Sequence, residues 1–541
     1  MSDLSDLSDV SDVSDPNAPS DLGDPNAERP EPKPDASARL QAEIDRVMQG
    51  GGPKAHAKLV EAHKLFVRER LRILLDDDPV FEDGLLAECL DPELPADAVV
   101  TGVGKIHGRS VAFMAADATV KAGSWGAKSV EKLLRIQELA LAQGLPIVYL
   151  VDSAGARITD QIDVFPGRRH GGRVFYNQVK MSGVVPQVTI LFGPSPTGAA
   201  YVPAFSDLVV MVDGNASAYL GSPRMAEMAI GEKVTLEQMG GAKMHCAVSG
   251  LGDFLAKDEH EAIGFVRDYL DLMPSSWREL PPTFAPAPPA TDTPLAMIVP
   301  EDGARPFDMY ELIDALVDEE SFLELKRLYA PELITGFARL EGRVVGVVAN
   351  QPKVKGGTLF VDSADKGARF VALCSAFNVP LLFLADVPGY MIGSAVEKAG
   401  IIRHGAKLIA AVSQAQVPKI SVVVRKCFGA GLYAMAGPAF GTDAVLALPT
   451  AQIAVMGPEA AVNAVYAAQI EKLPEDQRAA FVAAKRAEYA LDVDLYRLAS
   501  ELVVDAVVPF DALRRELVAR FGVYKTKDEP FSVRRNPVYP V

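Results

Sequence analysis

Leu145-Pro-Ile-Val-Tyr-Leu-Val-Asp-Ser-Ala-Gly155 and Val379-Pro-Leu-Leu-Phe-Leu-Ala-Asp-Val-Pro-Gly389 are one pattern written twice. In each, a proline opens an uninterrupted apolar run, and an aspartate followed by small residues closes it. A parallel strand buried on both faces requires such a run. The copies stand 234 positions apart (152 to 386), and so do Thr101-Gly102 and Thr335-Gly336, and Val120-Lys121-Ala122-Gly123 and Val354-Lys355-Gly356-Gly357. A third strand-like run in each copy ends in a small-residue loop: Gly193-Pro-Ser-Pro-Thr-Gly-Ala-Ala-Tyr201 and Phe428-Gly-Ala-Gly-Leu-Tyr433. There the offset slips by one or two. A duplication on this scale implies two similar α/β domains facing one another, and matching loops imply a shared site.

Bulk properties narrow the function. A chain of 541 residues exceeds one core and divides naturally into two domains of roughly 200–250 residues. The formal net charge is −17, and residues 1–35 hold ten acids against two bases. That balance excludes nucleic acid as a general partner, because phosphate neutralisation needs clustered Lys and Arg. The most apolar stretch, 370–392, is interrupted by Asn378, Pro380, Asp386 and Pro388, so no membrane span is expected. Cys89, Cys246, Cys374 and Cys427 form no C-x-x-C pair, which argues against a zinc ribbon or a disulfide framework. No metal site is expected. Buried, reduced thiols and an N-terminus without secretory character point to a cytoplasmic protein.

The organisation follows from pattern breaks. Residues 1–35 repeat Ser-Asp-Leu and Ser-Asp-Val and then become rich in Pro, Asn and Asp; they are expected to form a disordered acidic tail. Helical periodicity runs from 36 to 75. Strands are expected at 98–106 and 109–115, a helix at 129–142 and a buried strand at 147–151. The proline-rich stretch 274–300 reads as the linker, dividing an N-terminal domain at 36–290 from a C-terminal domain at 291–541. A helix near 309–316 opens the second unit, and from 459 to 521 the chain is expected to be helix-dominated.

A strand, a small-residue loop and a helix start together expose main-chain N–H groups that favour negative charge. Aimed at a thioester carbonyl, two such amides form an oxyanion hole for charge that develops only as an enolate forms. Gly198 and Ala199 are the candidates in the first copy, Ala430 and Gly431 in the second.

These stretches carry a resemblance. Asp152-Ser-Ala-Gly-Ala-Arg-Ile158, Gly193 to Ala204, Ala385-Asp-Val-Pro-Gly-Tyr390, Gly400-Ile-Ile-Arg-His-Gly-Ala-Lys407 and Ala454-Val-Met-Gly-Pro-Glu459 resemble the carboxyltransferase (β) subunits of biotin-dependent acyl-CoA carboxylases. The resemblance covers nearly everything except the acidic tail. It implies two tandem crotonase-like domains, acyl-CoA on the N-terminal one and carboxybiotin on the C-terminal one. It implies active sites at subunit interfaces of a homo-oligomer, expected to be a hexamer. The biotin would be carried by a partner biotin carboxylase/biotin carrier (α) subunit. The residues that match the family's ligand-binding motifs are Lys121, Ser153, Ala154, Gly155, Ala156 and Arg157 on one side. On the other they are Pro388, Gly389, Tyr390, Arg425, Lys426 and Tyr433. The main-chain amides of Gly198 and Ala199 would hold the thioester oxygen, and those of Ala430 and Gly431 the biotin carbonyl. Arg157 and Lys121 are candidates for a CoA phosphate. Asp152, Asp386 and His404 are read as residues that fix loops or cap helices.

The acyl group stays open. Gly429-Ala-Gly-Leu-Tyr433 and Asp163-Val-Phe-Pro-Gly-Arg-Arg-His170 resemble the methylcrotonyl-CoA type, whereas Gly400-Ile-Ile-Arg-His-Gly405 and Arg425-Lys426 resemble the propionyl-CoA type. No Ala-Met-Lys-Met biotinylation site and no glycine-rich ATP motif occurs in the chain. A biotin-dependent decarboxylase or transcarboxylase subunit, a CoA hydratase or isomerase, and a non-catalytic scaffold are the alternatives. The hydratase reading is weakened because neither small-residue loop contains a carboxylate.

Overall fold

The computed structural model describes residues 35–527. The expectation of a disordered tail at 1–35 therefore lies outside the described residues except at Asp35, whose carboxylate accepts from Ser37 N (3.4 Å) at the start of the helix Ala36–Met48. The helical pattern expected from 36 to 75 is realised as three helices: Ala36–Met48, Pro53–Glu61 and Val67–Leu74. Gly50, Gly51 and Gly52 break the first, and His63, at a left-handed φ of 54°, turns the chain before the third.

The first sheet contains β1 (Phe81–Asp83), β2 (Val99–Ile106), β3 (Arg109–Ala116), β4 (Ile147–Val151), β5 (Gln187–Leu191), β7 (Leu208–Val212) and β9 (Phe254–Ala256), in the order β1-β2-β3-β4-β5-β7-β9. Two further short strands, β6 (Pro194–Pro196) and β8 (Ser217–Tyr219), pair with each other. The second sheet contains β10 (Leu323–Leu325), β11 (Leu333–Leu340), β12 (Arg343–Asn350), β13 (Leu381–Val387), β14 (Lys419–Phe428), β15 (Ala444–Ala447) and β17 (Ala506–Val507), in sequence order, with β16 (Gln452–Ala454) beside β14. In both sheets the leading strands form antiparallel ribbons and the rest are parallel. Every side chain of β4 is buried, as its unbroken apolar run demands.

The duplication persists in the register. Thr101 faces Met114 and Ala112 faces Ile147 in one sheet; Thr335 faces Val348 and Gly346 faces Leu381 in the other. Both helices that follow the hairpins start alike. Gly126 N donates to Ser129 Oγ (3.1 Å) at Ala127–Gln143, and Phe360 N donates to Ser363 Oγ (2.7 Å) at Val361–Ala376. These hydroxyls satisfy donors that the first helical turn leaves unpaired.

The halves are joined by packing rather than by a loose tether. Tyr269 lies edge-on to Phe337 (5.8 Å between centroids), which meets Phe370 at 5.2 Å in one continuous core. Lys326 pairs with Asp253 (3.0 Å) across the same seam. The proline-rich stretch is strapped to the second half: Phe284 N donates to Gly342 O and Glu319 N to Pro288 O, both at 2.8 Å. Its lack of periodicity hid these edge contacts. The helix-dominated stretch 459–521 is four helices, Pro458–Lys472, Glu475–Asp492, Leu495–Ser500 and Leu513–Tyr524, with β17 between the last two completing the second sheet.

Lys132 and Lys366 are equivalent and buried. Lys132 Nζ donates to Ala96 O (3.1 Å) and Val99 O, and Lys366 Nζ to Lys326 O and Tyr329 O, both at 2.9 Å. Burial, opposed by nearby carboxylates, pushes their ammonium groups down to about 8 and about 7. A lysine depressed on folding binds more protons unfolded than folded between its two pKa values, so stability rises with pH across that window. Relative to Lys132→Met and Lys366→Met, the native chain should gain stability as pH rises from about 7 toward about 10. Denaturant titrations that give parallel pH profiles would contradict this.

Candidate active site

Parallel strands deliver the loops after β4, β5, β13 and β14 to the same edge of each sheet. After β4, Trp125 N donates to Gly155 O and Arg157 N to Trp125 O, both at 2.9 Å. After β13, Leu359 N donates to Gly389 O (3.1 Å) and Met391 N to Leu359 O (2.8 Å), the same two bonds 234 positions on. Gly155 (φ 88°) and Gly389 (φ 126°) take left-handed conformations that a side chain would strain. Ser153 is buried; its Oγ donates to Gly123 O (2.7 Å) and accepts from Gly155 N (3.0 Å), while Ala154 N donates to Ala122 O (2.9 Å). Ala154 and Ala156 face outward.

The aspartates beginning these loops are each clamped by cations. Asp152 accepts from Lys64 Nζ (3.0 Å) and from the Arg70 guanidinium (3.2 Å), which also grips Glu259 and lies over the Phe192 ring. Glu259 and Asp152 outweigh burial and raise Arg70 above its ordinary value. Asp386 Oδ2 accepts two bonds from Arg425 (2.6 and 3.0 Å), and its Oδ1 accepts from Lys426 N (3.2 Å). The remaining Arg425 donor reaches Asp302 O and Arg305 O. Both pairs are desolvated, so losing either partner strands a charge.

The small-residue loops come next. Gly193 has no room for a side chain, since a Cβ would sit 1.9 Å from Asp152 Oδ1. Ser195 Oγ, fully buried, donates to Ala199 O (2.9 Å) and orients the turn Thr197–Ala200. In the second half, Gly429 (φ 54°, ψ −138°) is accessible only to glycine and turns β14 into the helix Ala430–Ala434. Gly198 and Ala199 lie in the first turn of the 3-10 segment Thr197–Ala200, and Ala430 and Gly431 open the helix Ala430–Ala434, so none of these four N–H groups has an acceptor inside its own helix. Gly198 and Ala430 are exposed, Ala199 and Gly431 buried. A Cβ at Gly431 would meet Val387 Cγ1 at 3.0 Å and Gly389 Cα at 3.2 Å, whereas one at Gly198 would meet only Phe175 Cζ at 3.9 Å.

Other expected ligand residues are placed differently. The Arg157 guanidinium is held by Asp97 (2.5 Å) and Ser124, which makes it a clamp between loops instead of the free phosphate donor expected. Arg425 is likewise committed to Asp386, and Lys426 Nζ to Gly303 O (2.9 Å). Lys121 is solvent-facing and paired with Glu93 (2.5 Å). Tyr390 packs on Gly405 and donates weakly to its carbonyl (3.4 Å), burial raising its phenol; Pro388 and Tyr433 are exposed beside the second loop. His404 Nδ1 bonds Asp365 (2.7 Å), which ties the helix Ile401–Gln414 to Val361–Ala376 instead of capping a helix end. Sequence reading missed Lys64, Arg70, Glu259, Asp97 and Ser195; of these only Ser195 lay within a recognised motif.

The carboxyl transferase domain pattern matches residues 60–539. The chain belongs to that family. It is 63% identical over 498 residues to an uncharacterised carboxylase of Bacillus subtilis, covering 92% of this chain and 98% of that protein. It is 41% identical over 442 residues to the methylcrotonoyl-CoA carboxylase β chain of Dictyostelium discoideum, covering 80% and 74%. Among solved structures it resembles the transcarboxylase 12S hexamer with hydrolysed methylmalonyl-CoA bound, at 37% identity and TM-score 0.88, covering 93% and 98%. The fold is therefore the crotonase-like carboxyltransferase fold, and the chain is a carboxyltransferase of the acyl-CoA carboxylase, decarboxylase and transcarboxylase family.

For this carboxyltransferase, Asp386→Asn should cost about 3–5 kcal/mol of stability because Arg425 stays buried without a counter-charge. Lys121→Ala should stay within about 0.5 kcal/mol. Equal denaturation midpoints for the two variants would refute the distinction.

Proposed function

We propose that this chain is the carboxyltransferase component of a biotin-dependent acyl-CoA carboxylase acting on a short or branched acyl-CoA: propionyl-, acetyl- or methylcrotonyl-CoA. The observation that carries the reading is a small-residue helix start at each of two equivalent strand ends, where the first N–H groups have no acceptor inside the helix. Carboxybiotin, borne by a partner subunit's carrier, supplies the activated carboxyl group when bound. The residues fit it, because Gly429 and Gly431 bring no side chain to the second loop and Ala430 N and Gly431 N open the helix Ala430–Ala434. Those amides would hold the ureido oxygen. Gly198 N and Ala199 N would hold the thioester oxygen as removal of the α-proton moves charge onto it, the point at which fixed dipoles outperform water. No side-chain nucleophile is required.

Ile158, Phe165 and Tyr201 are exposed beside the first loop, and Ile392, Tyr433 and Val455 beside the second. Such apolar surface next to both sites supports a homo-oligomer, by likeness to the 12S assembly a hexamer, in which each site is completed across a subunit boundary. A partner carrying biotin carboxylase and carrier functions follows from the same reading. No helix of the described residues is long and apolar enough to cross a membrane. The likeness to transcarboxylase 12S favours one second reading, in which the same site runs as a decarboxylase or transcarboxylase.

Co-purification with a biotinylated partner, then a panel of acyl-CoAs, tests the proposal. ATP-dependent carboxylation of one of the three named esters is expected, and Gly198→Val or Gly431→Val should lower it at least about 100-fold with assembly intact. Near-normal turnover in both variants would sink the assignment of these loops. Inability to decarboxylate malonyl- or methylmalonyl-CoA with free biotin would favour a scaffold.

A further inference from the structure

The first small-residue loop is braced by a short two-stranded ribbon. β6 leads directly into the turn Thr197–Ala200, and β8 pairs with it in parallel, Ala218 facing Ser195. Ser195 Oγ donates to Ala199 O (2.9 Å), so the residue opposite Ala218 sets the turn that carries Gly198 N and Ala199 N. Pro194 and Pro196 have no N–H, which leaves Ser195 as the one main-chain donor that β6 can offer its partner. A ribbon so poor in ladder bonds needs an anchor beyond itself.

That anchor is His245. Its Nε2 lies 2.7 Å from the carbonyl of the buried Ala218, and its Nδ1 2.7 Å from Ser249 Oγ. A carbonyl oxygen can only accept, so Nε2 carries the ring proton and Nδ1 accepts from the Ser249 hydroxyl; the two bonds fix one tautomer and one ring orientation. His245 opens the π-helical turn His245–Ser249, and Gly252 N donates back to His245 O (3.2 Å). The second half of the chain grips this same segment. Lys326 Nζ bonds Gly250 O and pairs with Asp253 (3.0 Å), and a Cβ at Gly250 would lie only 2.7 Å from Tyr329 Cε1.

We infer that His245 is a positioning residue for the first loop: through Ala218 and Ser195 it holds the turn Thr197–Ala200 so that its amides face a thioester oxygen. The inference rests on the oxyanion-hole reading of that loop given under the proposed function. It adds a side chain from outside the loops, and a route by which the second half, through Lys326, steadies the site of the first.

Substitution of His245 in the assembled enzyme with its biotinylated partner tests it. His245→Leu removes the donor to Ala218 O, whereas His245→Gln keeps an N–H near the place of Nε2. His245→Leu should lower kcat about 100-fold with KM for the acyl-CoA within about threefold, the pattern of a misplaced transition-state contact, and His245→Gln should recover roughly a third of the native kcat or more. The carbonyl stretch of a bound 13C-labelled thioester should move to higher frequency in His245→Leu and stay in place in His245→Gln, a change that lost stability alone does not produce. If His245→Leu does not assemble, Ser249→Ala, at an exposed hydroxyl, releases the ring and should lower kcat roughly fivefold. Native kcat and carbonyl frequency in the variant that assembles, or equal losses in His245→Leu and His245→Gln, would overturn the inference; with Gly198→Val inactive, the loop assignment would still stand. Native turnover in Gly198→Val would overturn both.

Discussion

The first N–H groups of a helix have no acceptor inside it. A fold that leaves such donors free must hold them still by other means, because an unsatisfied amide otherwise draws the chain into a different turn. Here the restraint is electrostatic and lies one layer below the loops. Asp152 and Asp386 sit at the ends of equivalent strands, each gripped by a buried arginine. With those carboxylates immobile, Ser153, Gly155 and Gly389 set the adjoining turns beside the helix starts of the small-residue loops. Rigid dipoles in place before a ligand arrives need no reorganisation when charge develops.

The two halves solve this problem with different residues. Arg425 comes from the same strand as the loop it supports, but Arg70 comes from a helix at the start of the described chain and reaches its aspartate across Phe192. The lysines at the helix starts, Lys132 and Lys366, by contrast occupy equivalent places and cap carbonyls in the same manner. Backbone register and helix capping kept the duplicated solution, while the charges around each loop diverged. Under the proposed function one loop meets acyl-CoA and the other biotin, which gives the two sets of charges reason to diverge.

Much of this was legible because it is local. The apolar runs of β4 and β13, their closing aspartates and the glycines after them state strand, turn and helix start within a dozen residues. The doubled spacing made two domains readable. What escaped depends on residues far apart in sequence. Nothing near Arg70 announces Asp152 or Glu259, and Arg157 reads as a phosphate ligand until Asp97, 60 positions earlier, is found against it. The docking of 283–290 and the late strand β17 were hidden for a related reason: short edge pairings leave no periodicity. Acyl preference is illegible on different grounds, since a methylene is worth only about 1–3 kcal/mol.

In the proposed mechanism main-chain hydrogens, rather than side chains, carry the stabilisation of negative oxygen. The most direct check is an experimental structure of the assembled oligomer with a CoA ester analogue whose carbonyl is replaced by an enolate-like oxyanion. That oxygen should lie within about 2.7–3.1 Å of Gly198 N and Ala199 N. An oxyanion held by Arg157, Lys121 or any other side chain, with those two amides turned away, would contradict the mechanism.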